Sequence, residues 1–127
     1  MTESTKIAIV DDEVHIRTLL EQTLEDLENE PEILLATNGS EGLALIERER
    51  PQLVFLDVMM PLMNGYDVCA AVRNNPALTG TTIVMLTAKG QESDRVRGIE
   101  TGAHHFITKP FDPDEILDLA QRILEEA

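Results

Sequence analysis

The chain alternates short apolar runs with longer stretches in which apolar residues return every three or four positions. "KIAIV" (6–10), "EILLAT" (32–37), "LVFL" (53–56), "TIVMLT" (82–87) and "HFIT" (105–108) are the short runs and predict five strands. "LVFL" has four apolar residues in succession, the pattern of a central strand covered on both faces. Residues 13–28 place Ile16, Leu20, Leu24 and Leu27 on one helix face, with Pro31 ending the helix. "NGSEGLALIERER" (38–50) opens on cap-type residues, carries Leu43 and Ile46 three apart, and is closed by Pro51. A third helix, from about 65 to 74, carries Val68, Cys69 and Val72, with "NNP" as its stop. A fourth, over 91–101, rests on Val96 and Ile99 as its apolar anchors, with Gly98 inside and Gly102 as its C-terminal stop. The last helix has Asp112 as N-cap, Pro113 at the first helical position and Glu115 at the third, an acidic version of the capping box. Its inner face is Ile116, Leu119, Ala120 and Ile123.

Five strands each followed by a helix imply an α/β fold with a parallel sheet and helices on both sides. Ligands of such sheets sit beyond the carboxyl ends of the strands. No internal repeat or low-complexity tract interrupts the pattern, and 127 residues are the size of one domain, 1–127. A chain of this length buries well over half its unfolded surface and folds without disulfides or structural metal. Cys69 is the single cysteine, which excludes an intrachain disulfide and fits a reducing compartment. "MTESTKIAIV" lacks the basic stretch and apolar core of a signal peptide, and no apolar run approaches the ~20 residues of a membrane span. The expectation is a soluble, cytoplasmic protein with no membrane partner. Acids outnumber bases 24 to 10, for a net charge of −14. That balance repels a phosphate backbone and argues against direct nucleic-acid binding, while favouring cations and basic partners.

The chemistry collects at the strand ends. Strand one runs into Asp11-Asp12 and then Glu13; strand three into Asp57; strand four into Thr87-Ala88; strand five into Thr108-Lys109-Pro110. In a parallel sheet these residues meet on one rim. Carboxylates crowded there repel, and each raises the others' pKa. A hard divalent cation relieves the conflict, and oxygen ligands with few protein contacts suit Mg2+. Lys109 and the Thr87 hydroxyl then suit an added anion, as a positive charge and a donor for phosphoryl oxygens. A carboxylate nucleophile, a metal, a cation and a hydroxyl together serve phosphoryl transfer to a carboxylate, giving an acyl phosphate.

In the order "VDDE" (10–13), "LDVMMPLMNG" (56–65), "MLTA" (85–88) and "FITKPF" (106–111), the chain resembles the receiver domain of two-component response regulators over essentially its whole length. The resemblance implies a flavodoxin-like, doubly wound five-stranded parallel sheet of order 2-1-3-4-5 with five helices. It implies that Asp57 is the phosphoacceptor, attacking a phosphohistidine on a histidine kinase or histidine phosphotransfer protein. Asp12 and Asp57 would ligate Mg2+ directly, Asp11 mainly through a metal-bound water, and Met59 through its backbone carbonyl. Lys109 would contact the phosphoryl group from the other side, and a cis bond would join it to Pro110. Thr87 and Phe106 would be the switch pair, the hydroxyl turning to the phosphoryl oxygen and the ring moving into the vacated space. The surface of helix four, strand five and helix five would report the change to a downstream protein target. Such a chain is no enzyme beyond its own phosphorylation and dephosphorylation.

Departures from the family's pattern qualify the details. Position 106 is Phe where many receivers carry Tyr, so the ring offers no hydroxyl. Met59 and Lys89 stand where neighbours tune phosphoryl lifetime in this family. "GAHHFITKPFDPDEILDLA" has no arginine before Arg122, which weakens the dimer mode of the transcription-factor branch and leaves a monomer or a weak phosphorylation-dependent dimer. A stand-alone receiver is the simplest arrangement, with a receiver cut from a larger regulator or hybrid kinase as the alternative. A haloacid dehalogenase-type phosphatase would carry a second acid where Met59 stands. A degenerate, binding-only receiver conflicts with the intact set of Asp11, Asp12, Asp57, Thr87 and Lys109. His104 and His105, adjacent on a strand, point to opposite faces and do not suit a shared ion. His15 reads as exposed and Cys69 as a partly buried small apolar residue.

Overall fold

The structure, a computed structural model, describes residues 5–88 and 93–126. Five strands, β1 (Lys6–Val10), β2 (Glu32–Ala36), β3 (Leu53–Asp57), β4 (Thr82–Ala88) and β5 (His105–Lys109), alternate with five helices. The helices are α1 (Val14–Leu24), α2 (Gly39–Glu49), α3 (Gly65–Arg73), α4 (Ser93–Thr101) and α5 (Pro113–Glu126). All strand pairs are parallel, in the order β2-β1-β3-β4-β5, a flavodoxin-like doubly wound sheet.

Alternation along the strands divides the core in two. Ile7, Ile9, Leu53, Phe55, Val84, Leu86 and Ile107 face a layer made by α1 and α5. Ala8, Val10, Val54, Leu56, Ile83 and Met85 face a layer that holds Leu45 and Ile46 of α2 and Val68, Cys69 and Val72 of α3. β3 is buried at every position, as a central strand must be.

Local chemistry sets the helix ends. Asn38 caps α2 by accepting from the Glu41 N–H at 2.8 Å. Asn64 and Asp67 form a reciprocal capping box at the start of α3. At α5 the Asp112 carboxylate accepts from the Asp114 N–H at 2.9 Å, and Ile116, Leu119, Ala120 and Ile123 are buried as the pattern requires. α1 stops at Leu24, short of the expected residue 28. Three acids, Glu25, Asp26 and Glu28, crowd what would be its negative C-terminal end, and the chain turns instead. Leu27 stays buried from that turn.

α4 differs from the expectation in how it is fastened. Val96 and Ile99 are 61% and 63% exposed, so they do not anchor the helix. Gly98 faces inward: a Cβ there would lie 2.5 Å from Cε1 of Phe106 and 3.1 Å from Sδ of Met85. The Arg97 guanidinium sits over the Tyr66 ring of α3, 4.3 Å from its centroid, and the Cys69 thiol donates to the Thr101 carbonyl at 3.3 Å. The helix is held by backbone proximity and polar contacts rather than by an apolar stripe. Among the described residues no helix is long and apolar enough to cross a membrane.

Candidate functional site

The rim at the carboxyl ends of the strands is assembled by register. Asp57, the last residue of β3, pairs with Leu86, and Ala88 pairs with Lys109. By alternation Asp57 and Lys109 share a face with Phe55 and Ile107. Asp11, one residue beyond β1, lies in phase with Ile9. The three therefore meet over the α1/α5 layer. Thr87 and Phe106 fall on the opposite parity, toward the layer where Phe106 packs.

The Lys109 ammonium bridges the carboxylates. It stands 2.9 Å from Asp11 Oδ2 and 3.2 Å from Asp57 Oδ1, with Glu13 Oε1 at 3.7 Å. Asp11 and Asp57 are buried, while Asp12 is exposed at the mouth. Oxygens of Asp11, Asp12 and Asp57 all lie within 4.8 Å of one another. Asp11 Oδ1 accepts from the Glu13 N–H at 2.9 Å, and the Met59 N–H points at Asp57 Oδ1 from 3.4 Å. Burial, reinforced by the Asp11 charge, pushes the Asp57 carboxyl up to about 7; Lys109 works against that rise. Burial of Lys109 opposes its charge, but the bond to Asp11 and the Asp57 charge outweigh it and hold its pKa above the ordinary value. Among the described residues the carboxylates thus outweigh the Lys109 ammonium between them, an electrostatic deficit that a hard cation would cover.

The loop after β3 packs the start of α3 tightly against Asp57. The Gly65 N–H donates to the Val58 carbonyl at 3.0 Å, and any Cβ at Gly65 would collide with the Asp57 carbonyl oxygen. Glycine therefore lets α3 start directly against β3. Met59 is exposed at the lip, and the Lys109–Pro110 bond is cis. Thr87 is buried one residue past the Asp57 register partner. Lys89 lies outside the described residues.

The other candidates resolve into structure. His104 ties β5 to β4 through its backbone N–H to the Ile83 carbonyl and its Nδ1 to the Ile83 N–H, at 3.0 and 3.2 Å. Burial lowers its pKa. Cys69 is fully buried, and burial raises its thiol pKa. His15 is exposed beside Glu13. Glu13, expected on this rim after Asp11-Asp12, stands near Lys109, while one contributor was not singled out by the sequence: Arg17, whose guanidinium donates to the Asp11 carbonyl at 2.7 Å. A basic residue early in a helix, against the dipole, is the one signal that could have singled out Arg17.

Comparison with known proteins agrees with this geometry. Residues 7–121 match the response regulator receiver domain. The chain is 44% identical over 126 residues to the transcriptional regulatory protein ResD of Bacillus subtilis, covering 99% of this chain and 50% of that protein. It is 41% identical over 122 residues to the alkaline phosphatase synthesis transcriptional regulatory protein PhoP of the same organism, covering 96% and 49%. It spans about half the length of the curated relatives it matches. The fold superposes on chemotaxis protein CheY4 of Vibrio cholerae with a TM-score of 0.85 at 33% identity, over 95% of this chain and 99% of that one. With the strand order, the acidic rim and the family match in agreement, this chain belongs to the receiver domains of two-component response regulators.

Proposed function

We propose that the protein accepts a phosphoryl group on Asp57 from a phosphohistidine of a histidine kinase or histidine phosphotransfer protein. The observation that carries this reading is the Lys109 ammonium held between the buried carboxylates of Asp11 and Asp57. Asp57 attacks as the carboxylate: one oxygen forms the new P–O bond, the P–N bond breaks, and the imidazole nitrogen keeps the electron pair. With its carboxyl pushed to about 7, Asp57 is only partly ionised at neutral pH until added positive charge favours the anion.

The donor set fits Mg2+. It is all oxygen, crowded and anionic, with Asp11, Asp12, Asp57 and the Met59 backbone carbonyl as the residues that would hold the ion. Once bound, Mg2+ supplies counter-charge to the acceptor and to the phosphoryl oxygens. Lys109 neutralises the phosphoryl group from the β5 side. The Thr87 hydroxyl turns toward a phosphoryl oxygen, and the Phe106 ring moves with it. Because Phe106 packs against Gly98, that motion reaches α4 directly, and the α4–β5–α5 surface presents the change to a downstream protein target. The acidic balance of the chain leaves direct nucleic-acid contact to other proteins or domains. A single buried cysteine suits the reducing cytoplasm.

Incubation with acetyl phosphate and Mg2+, followed by intact mass, tests the reading. The wild-type chain gains one phosphoryl group; Asp57→Asn and chelated samples gain none. No gain under any condition leaves a binding-only receiver. One observation favours a second arrangement of the output: the matched transcriptional regulators are about twice as long as this chain. An immunoblot of the native protein decides between them. A band near 14.1 kDa supports a stand-alone receiver, and a much larger one supports a receiver within a longer regulator.

A further inference from the structure

Arg17 lies in the first turns of α1, with its backbone N–H on the Glu13 carbonyl at 3.2 Å. A cation there gains nothing from the positive end of the helix dipole, and no acid in that turn offsets it. Helical side chains lean toward the N-terminus, which carries this one back over the loop at 11–13. Its Nη1 donates to the Asp11 backbone carbonyl at 2.7 Å.

That bond completes the fixing of Asp11. Its N–H donates to the Ala36 carbonyl at 3.2 Å, Oδ1 accepts from Glu13 N–H at 2.9 Å, and Oδ2 accepts from Lys109 at 2.9 Å. The carbonyl is the remaining polar group, and it belongs to the peptide that joins Asp11 to Asp12. Rotation of that peptide would swing Asp12, which is exposed, away from Asp11 and Asp57. We propose that Arg17 is a positioning residue: by clamping the Asp11 carbonyl it holds the 11–12 peptide in the orientation that brings the carboxylates of Asp11, Asp12 and Asp57 together for a divalent cation. The proposal rests on the reading of these three acids as the Mg2+ site.

Positioning and simple charge predict opposite signs. A guanidinium acting only through its charge repels Mg2+, so its removal would tighten binding. A guanidinium that orients ligands makes binding weaker when removed, by roughly 10-fold or more. Calorimetric titration with Mg2+ alone separates the two, using wild type, Arg17→Gln, Arg17→Lys and Arg48→Gln as a control of equal charge change on α2. Arg17→Gln binds roughly 10-fold more weakly, Arg17→Lys recovers part of the loss, and Arg48→Gln binds like wild type. Wild-type protein offers a second readout that needs no variant: the NMR signals of the Arg17 guanidinium shift as Mg2+ is added. Equal or tighter binding by Arg17→Gln, or guanidinium signals that ignore Mg2+, overturns the proposal and leaves the metal site standing. A wild-type chain that binds no Mg2+ removes both.

Discussion

The two faces of the rim are built on different principles. On the α1/α5 face, Asp11, Asp57 and Lys109 are locked by charge-assisted bonds at the ends of buried strands. On the opposite face, which Thr87 and Phe106 share, Phe106 adjoins a helix whose Val96 and Ile99 are exposed to solvent. That helix is held at Gly98 by Phe106 and at Arg97 by Tyr66. In the proposed function, chemistry sits where the scaffold is stiff, because an acceptor must be positioned before it reacts. The proposed reporting sits where an element is lightly fastened, because a modest free energy must be enough to move it.

The largest expected effect removes the cation from the stiff face. Lys109→Met keeps the length of the stem and deletes the charge. The rate of phosphoryl uptake from acetyl phosphate, followed by mass, falls about 10²–10³-fold. Near-normal uptake would show that the Asp11–Lys109–Asp57 bridge is structural only.

The next effect is on stability and depends on pH. The Asp57 carboxyl is raised from its ordinary 3.8 to about 7 by burial and by Asp11, so the folded chain holds a proton that the unfolded chain has already released. In chelator, stability therefore falls as pH rises between those two values and is flat above them. Asp57→Asn removes the penalty. It is more stable than wild type by about 2 kcal/mol at about pH 8, after discounting the shift for solvent at the rim, and the gain vanishes toward pH 4. Melting curves in chelator check this. Added Mg2+ stabilises the wild type and narrows the gap, because a ligand of the folded state adds stability by mass action.

The stiff face was legible in the sequence, and the fastening of α4 on the light one was not, for a physical reason. Asp11, Asp57 and Lys109 each directly follow a run of β-branched or apolar residues, so strand periodicity alone delivers them to one rim. Asn38 and Asp112 carried their capping signals in their own side chains. α4 misled because Val96 and Ile99, three apart, imitate a core stripe, while the true contact is the missing side chain of Gly98. Arg17 was hidden for a related reason: it acts on a backbone carbonyl, which every residue possesses and no pattern marks. The early end of α1 at Leu24 reflects acids at a helix terminus, a weak effect beside the strong Leu20–Leu24–Leu27 periodicity.

Gly98→Val tests the light face by filling the space that holds the Phe106 ring. The added branch meets Phe106 and Met85 and lowers stability by about 1–3 kcal/mol, read as a drop in melting temperature. Phosphoryl uptake stays near the wild-type rate, because Gly98 touches none of the acceptor residues. A collapse of uptake alongside the stability loss would mean that the two faces are not separable.

The smallest effects distinguish the polar fastening of α4 from the apolar one that the sequence suggested. Arg97→Ala removes the guanidinium from the Tyr66 ring and costs about 0.5–1 kcal/mol in melting experiments. Val96→Ser and Ile99→Ser replace side chains that are more than half exposed, and each changes stability by no more than about 0.5 kcal/mol. If either serine variant costs more than Arg97→Ala, the apolar pair anchors the helix after all and the contrast between the two faces fails. If the order holds, α4 keeps two apolar side chains in solvent at no benefit to the isolated fold, on the same surface that is proposed to meet the downstream target. Their contribution would then be measured in partner affinity, with phosphorylated protein, rather than in stability.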